Sequence, residues 1–548
     1  MKSFVVAAAA AFSITAFAQT AMNHANATDL ALAGTFEARE QDWRNGAIVY
    51  QVLVDRFAPA ADLQAKRTLY PAPKVLRPWS ELPQRGRYLE GAQVWSHEID
   101  FWGGDLHSLQ GKLDYVQQLG ADVLYLNPIH LATTHHKYDA LDYQQVSPEY
   151  GTRDDVRKLA TELHRRGMKL VLDGVFNHMG RNAPIFQAAQ AEYAAEQAPA
   201  GGGRAAAGGP SYRDWFVFGP QYAGGARTWA LAQNLPELNL ENAQVREYLY
   251  GGRDSVVRSW LRDGIDGWRL DVAFDIGFRF LDELTRAAHA EKPGSLVIGE
   301  IANYPREWYP SVDAVLHFTL RQILLGTAAG RIPAPTAGRM INRMTEDAGI
   351  ENMLKSWVYL DNHDTERLAT ALPDERQRHL AQVLQFTLPG APNLYYGSEL
   401  DMTGGDDPEM RAPMRWDWVR DDPEPGSAQA WTKKLVQMRR HHRALRVGNF
   451  RLAEATKLLA FERYTDRAAD TVIVLVNPST TAVSETVLLT NSKLMDGTPM
   501  VDMLGKPGGE PIQISSSLLH VAVAPQGFLV LRPDVATRGG YTKYKRVQ

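Results

Sequence analysis

The chain has 548 residues, a formal net charge of −4 and no cysteine. This length exceeds one typical domain and fits a large core with accessory units. The mild acidity provides no basic footprint for nucleic acid, and the missing thiols exclude disulfides and thiolate chemistry.

In chain order, the first segment reads as a targeting signal. Lys2 opens it, the apolar run FVVAAAAAFSITAFA follows, and Ala16-Phe17-Ala18 forms a small-x-small cleavage pattern before Gln19. Residues 1–18 are therefore expected to be a signal peptide and the mature chain to be exported, to a periplasm or to the medium. The apolar run is too short to span a bilayer, and no later segment reaches membrane length. Residues 19–45 read as a loosely specified lead-in.

Eight short β-rich runs come next: AIVYQVLVDRF (47–57), ADVLYLNPI (121–129), MKLVLDGVFNH (168–178), GIDGWRLDVA (264–273), SLVIGEI (295–301), AVLHF near 314, WVYLDNHD from 357 and PNLYYG from 392. Helical patterns such as SLQGKLDYVQQLG and DDVRKLATELHRRG separate several of them. Near-continuous apolar strands alternating with helices indicate a parallel sheet covered on both faces. Eight such units predict an α/β protein with a (β/α)8 barrel over residues 46–446. About 85 residues separate the third run from the fourth, which predicts an inserted lobe at roughly 180–235. Its GGGRAAAGGP stretch has the composition of a mobile loop. From 447 to 548, runs such as KLLAFERY, TVIVLVNP and LLHVAVAPQGFLVLRP predict an all-β C-terminal domain, a β-sandwich with a tail.

Polar residues collect at the C-terminal ends of the barrel runs, where this fold builds its sites. GWRLDVAFD places Arg269 and Asp271 two residues apart on a strand, and so on one face. The other run ends carry Asp173, Asn177 and His178; Glu300; His363 and Asp364; and, after the second run, His130, His136, Tyr138 and Asp139. Carboxylates ending three different strands beside histidines, with no obvious nucleophilic serine, point to glycoside cleavage. One carboxylate attacks while the other donates a proton. Arg269 favours the ionised form of Asp271, which makes Asp271 the nucleophile. Glu300 has apolar flanks and no basic neighbour in sequence, which makes it the acid/base. Asp364 is assigned to sugar hydroxyls and to positive charge developing on the ring. Trp102 and Trp268 are read equally as sugar stackers or as core.

Together the motifs resemble the α-amylase family of glycoside hydrolases (family 13): DGVFNH at 173–178, GWRLDVA at 267–273, GE at 299–300, DNHD at 361–364, NPI and HKYDALDY at 127–129 and 136–143, and RAPMRW at 411–416. The resemblance runs from about residue 46 to 535. It implies a retaining mechanism through a glucosyl-enzyme at Asp271, with Glu300 as acid/base and Asp364 as third acid. It further implies Arg269 orienting the nucleophile, His178 and His363 holding the sugar, Tyr138 beneath it, Asp139 supporting the site, and Asp173 as a structural partner of Arg269. HKYD is similar to the cyclomaltodextrinase and neopullulanase branch. The expected substrate is therefore an α-glucan or malto-oligosaccharide, linear or cyclic, cleaved at α-1,4 bonds. The rivals are an α-glucosidase, or a transglycosylase or isomerase of the same fold; a non-catalytic sugar-binding protein is the distant alternative. Members of that branch carry an extra β domain before the barrel. Here only about 27 residues stand between the expected cleavage point and the first strand, so that domain is expected to be absent and dimerisation is not inherited. No cofactor is required by the carboxylate chemistry. For calcium, the resemblance implies a position at Asn177 with partners from the lobe, and a weaker one at Gly103 and Asp105 in FWGGD. The loop DRFAPAADLQAKR provides few of the six to eight oxygen ligands that calcium takes.

Overall fold

The computed structural model describes residues 27–197, 211–505 and 511–547. The export signal read in residues 1–18 and the stretch GGGRAAAGGP of the lobe lie outside these residues. Eight parallel strands close into a barrel: β1 (Val49–Val52), β2 (Val123–Leu126), β3 (Lys169–Gly174), β4 (Gly267–Leu270), β5 (Leu296–Ile301), β6 (Ala314–His317), β7 (Trp357–Tyr359) and β8 (Ala391–Tyr395). Each strand pairs with the next in sequence, and β8 closes on β1 through Val49 and Asn393. Every strand residue except Lys169 is buried. This is why the runs look continuously apolar rather than alternating.

The period of two persists within that burial. Val49, Tyr125, Val171, Ile298, Ala314, Trp357 and Ala391 form the barrel interior. Their strand neighbours Tyr50, Leu124, Leu172, Trp268, Leu270, Val297 and Val358 pack outward under the helices. Gln51, Asp173, Arg269, Glu300 and Asn393 have the parity of the interior set. The polar residues of the run ends are therefore aimed at the barrel axis by register alone.

Three elements differ from the sequence expectation. The run at 47–57 is a strand followed by one helical turn, Val54–Phe57. The fully buried Asp55 carboxylate at that turn accepts the backbone N–H groups of Trp102 and Gly103, which bends the chain away from β1. The lead-in contains a helix, α1 (Ala27–Gln41), anchored by buried Asp29, Phe36 and Arg39. One apolar anchor among the three is too few to write an apolar stripe into the sequence. In the C-terminal domain, β9 (Asn449–Leu452), β10 (Leu459–Tyr464), β11 (Val472–Asn477), β12 (Val483–Leu488), β13 (Pro499–Asp502), β14 (Ile512–Ser515), β15 (Leu518–Val523) and β16 (Gly527–Pro533) hydrogen-bond into one curled antiparallel sheet. Ile473, Leu475, Met500, Leu519 and Leu531 fill its interior, while Val474 and Val476 on the other face of β11 join the barrel's outer core.

The lobe leaves after β3. Its helix Pro184–Gln197 brings Phe186 against Phe216, with ring centroids 4.9 Å apart. The lobe then returns along the end of β3, where Leu238 N–H donates to Asn177 O at 2.9 Å. Among the described residues, no helix is long and apolar enough to cross a membrane.

Candidate active site

Arg269 is fully buried at the end of β4, directly across the register from Asp173 on β3. Its Nη1 donates to Asp173 Oδ1 and Oδ2 at 2.9 and 3.1 Å and to Asp271 Oδ1 at 3.1 Å. Its Nη2 is 2.9 Å from Glu300 Oε1, an ion pair. One guanidinium therefore touches three carboxylates from three adjacent strands. Glu300 has no basic neighbour in sequence, but β5 lies beside β4 and brings it against Arg269 in space.

That contact changes the electrostatics. Burial raises the carboxyl of Asp271, and the charge of Glu300 raises it further, against the pull of Arg269. Burial likewise raises Glu300, against Arg269 and the Val272 N–H. Arg269 favours the ionised form of Asp271 as expected, but burial and Glu300 outweigh it. The two carboxyls share one counter-charge and titrate as a pair, each above its ordinary range. The Val272 N–H donates to Glu300 Oε2 at 2.9 Å. To do so Val272 adopts φ +38°, a left-handed conformation that strains a β-branched residue.

Beside this group lies a hydrogen-bonded chain. Tyr138 Oη donates to Asp173 Oδ2 at 2.9 Å, and Tyr125 Oη does so at 2.6 Å. The side-chain amides of Gln51 and Asn127 lie 2.9 and 3.0 Å from His363 Nδ1. Two amide donors at Nδ1 place the ring proton on Nε2. From there it faces Tyr138 Oη at 2.6 Å and Asp364 Oδ2 at 2.9 Å. The Tyr138 and His363 rings stack, with centroids 5.4 Å apart. Asp364 also meets Arg411 Nη2 at 3.3 Å. Burial pushes its carboxyl up, but His363, Arg411 and Arg269 outweigh that and hold it well below the usual Asp range. Of the three acids, Asp364 is the one fixed as an anion.

The other expected residues are placed as follows. Asp139 is buried and spends its carboxylate on the loop before it, accepting Thr133 N–H and Thr134 N–H at 3.2 Å. His178 is buried and held to about 4 by that burial, so its ring is neutral near pH 7. It stacks on Trp229 of the lobe, with centroids 5.4 Å apart. Trp229 also donates Nε1–H to Asp275 Oδ2 at 3.0 Å. Nothing local distinguishes Trp229 inside the polar return of the lobe, so the sequence does not single it out. Lys137 of HKYD turns away from the cleft and is fully buried against Glu149 Oε1 at 2.6 Å. His136 instead pairs with Glu98 Oε1 at 3.2 Å. Trp102, Trp268 and His130 are core residues. Arg56 lies over the Trp102 ring at 3.9 Å, and Trp268 packs on Phe176 and on the fully buried His130. The Asn177 amide lies 3.4 Å from His178 Nδ1. Among the described residues, no three His, Asp or Glu side chains are grouped to hold a metal ion.

The family model for the α-amylase catalytic domain matches residues 51–437. The chain belongs to the α-amylase family. The match covers the whole barrel from within β1, so the Arg269 cluster lies inside the family's catalytic domain. A cyclomaltodextrinase from a Bacillus species is 32% identical over 469 residues, 79% of this chain and 73% of its own. Neopullulanase 2 of Thermoactinomyces vulgaris is 32% identical over 441 residues, 77% of this chain and 68% of its own. Among solved structures, the cyclic α-maltosyl-(1→6)-maltose hydrolase of Arthrobacter globiformis, in complex with that cyclic sugar, superposes with a TM-score of 0.71 at 27% identity, covering 89% of this chain and 99% of that one. Two of these relatives are named for cyclic sugars, the cyclomaltodextrinase and the cyclic α-maltosyl-(1→6)-maltose hydrolase.

Proposed function

We propose that the protein is a retaining glycoside hydrolase that cleaves α-1,4-glucosidic bonds in malto-oligosaccharides and cyclic dextrins. The observation that carries this reading is the single guanidinium of Arg269 spanning Asp173, Asp271 and Glu300. It gathers the Asp271 and Glu300 carboxyls on one counter-charge, a pair that a double displacement can use. Asp271 attacks the anomeric carbon while Glu300 gives its proton to the departing glycosidic oxygen. The glucosyl–Asp271 ester forms and the sugar–oxygen bond breaks. Glu300, now ionised, takes a proton from water as the water oxygen displaces Asp271; this second inversion gives net retention. Asp364, held as an anion, supports the positive charge on the ring. His178, His363 and Tyr138 hold the sugar, and Asp139 fixes the loop that carries Tyr138. No metal or cofactor takes part in these steps.

The substrate range rests on the HKYD segment and on the relatives named above, whose names give cyclic dextrins and maltosyl oligosaccharides as substrates. A hairpin, Tyr88–Leu89 with Val94–Trp95, rises from the loop after β1. Its turn and the lobe residues Arg181, Asn182 and Asn234 line a separate pocket of about 210 Å³ beside Asp139. The test is a product time course on maltose, maltotriose, maltohexaose, cyclomaltodextrins, pullulan and soluble starch. Cyclic substrates and maltohexaose are expected to be cut internally, with the α-anomer formed first by NMR. Single glucose units released from linear chains alone would replace this reading with an α-glucosidase. New linkages appearing before free glucose would replace it with a transglycosylase, in which a sugar hydroxyl reaches the intermediate before water.

A further inference from the structure

We infer that the ammonium group of Lys66 serves as a tethered cation at Gly103 and Asp105, the place where the family resemblance implies calcium, and that the cleft wall is built there without a metal. Lys66 Nζ donates to Asp105 Oδ2 at 2.8 Å, to the Glu149 carbonyl oxygen at 2.8 Å and to the Gly103 carbonyl oxygen at 3.3 Å. All three ammonium protons are thereby used, and every acceptor is an oxygen. One carboxylate faces one positive charge, so the junction is neutral. Calcium needs six to eight oxygens and has two charges to balance. The residues present do not fit it: three oxygens converge, and a calcium ion would have to displace a cation that is covalently held beside them.

The junction is built into the local chain. Gly103 has φ +80°, and a Cβ there would overlap the Leu63 side chain, so the carbonyl can be presented to Lys66 only by a glycine. Asp105 uses its second oxygen, Oδ1, to cap the helix Leu106–Gln110 through Ser108 N–H at 2.7 Å. Glu149 uses its carboxylate on two further lysines, Lys137 at 2.6 Å and Lys74 at 2.9 Å. Lys137 stands in the chain between His136 and Tyr138. Lys66 therefore joins the loop after β1, the first helix after it, and the turn that braces Tyr138, and it is a positioning residue for that side of the cleft. The consequence is a wall whose order does not follow the calcium concentration of the surroundings.

The test compares thermal midpoints of the full-length enzyme and two variants, each with millimolar EDTA and with millimolar calcium chloride. The wild-type midpoint is expected to be the same in both. Lys66→Met keeps the stem and removes the charge. It is expected to melt about 5 °C lower, again equally in both, and to raise KM more than it lowers kcat. Lys66→Asp places a second carboxylate beside Asp105 and the two carbonyls. It is expected to melt low in EDTA and to recover with calcium. Lys66→Met melting like wild type would overturn the inference, as would Lys66→Asp gaining no more from calcium than wild type does.

Discussion

At the scale of the residue, Arg269 decides how the acids behave. It is shared between Asp271 and Glu300, so removing either carboxylate changes the other. Glu300→Gln is expected to lower turnover on an unactivated maltoside by about 10²- to 10⁴-fold, the usual contribution of a general acid. A leaving group that needs no protonation should partly restore the first step, and azide the second, as a glycosyl azide detected by mass spectrometry. Asp271→Asn should show neither rescue. The pH profile follows from the same contact. Burial and the charge of Glu300 raise Asp271, whose ionised form is the nucleophile, so activity is lost as pH falls through its raised value. Glu300 acts as an acid only while protonated, so its ionisation sets the alkaline limb. Glu300→Gln is expected to lose that limb in its azide-rescued activity while keeping the acid limb of Asp271. An alkaline limb that persists would assign it to another group.

At the scale of the element, the lobe contributes more than a wall. Trp229 stacks on His178 and is tied to Asp275, four residues beyond the candidate nucleophile. Trp229→Ala removes a stacked pair worth about 0.5–1.5 kcal/mol. If that energy positions His178 toward the sugar, KM for maltohexaose should rise by about 2- to 10-fold while kcat and the thermal midpoint change little. A loss confined to the midpoint would instead make the ring a purely structural prop. The strands were legible because burial on both faces writes an uninterrupted apolar run. Helix α1 was not, because it is held by Phe36 and polar anchors rather than by an apolar face.

At the scale of the whole molecule, Arg39 of α1 ties separate parts of the chain together. It donates Nη1–H to the Val447 carbonyl at 3.0 Å and to Asn449 Oδ1 at 2.9 Å, at the start of the C-terminal domain. It also pairs with Glu351 on the barrel, which is largely exposed and adds little. Arg39→Met is expected to cost about 1.5–3 kcal/mol through the charged hydrogen bond to Val447, seen as a lower denaturation midpoint with unchanged kcat. The order Lys2, apolar run and Ala-Phe-Ala leads us to propose export with cleavage after Ala18. Mass spectrometry of the protein from its native host should find Gln19 at the N-terminus, and an intact Met1 on cytoplasmic protein would reject this.

The sequence alone determined the barrel, its strand order and which acids end its strands, because strand parity and the placement of motifs at strand ends are local, one-dimensional patterns. The assignment of Asp173 to Arg269 was likewise legible, since adjacent strands in a parallel barrel place their ends side by side. Only the tertiary structure decided that Arg269 also reaches Glu300, that Trp229 covers His178, and that Lys66 reaches Gly103 and Asp105. Each of these joins residues that the chain holds 31 to 51 positions apart. Coulomb and stacking interactions depend on distance through space, and no spacing along the chain encodes it until the barrel has closed.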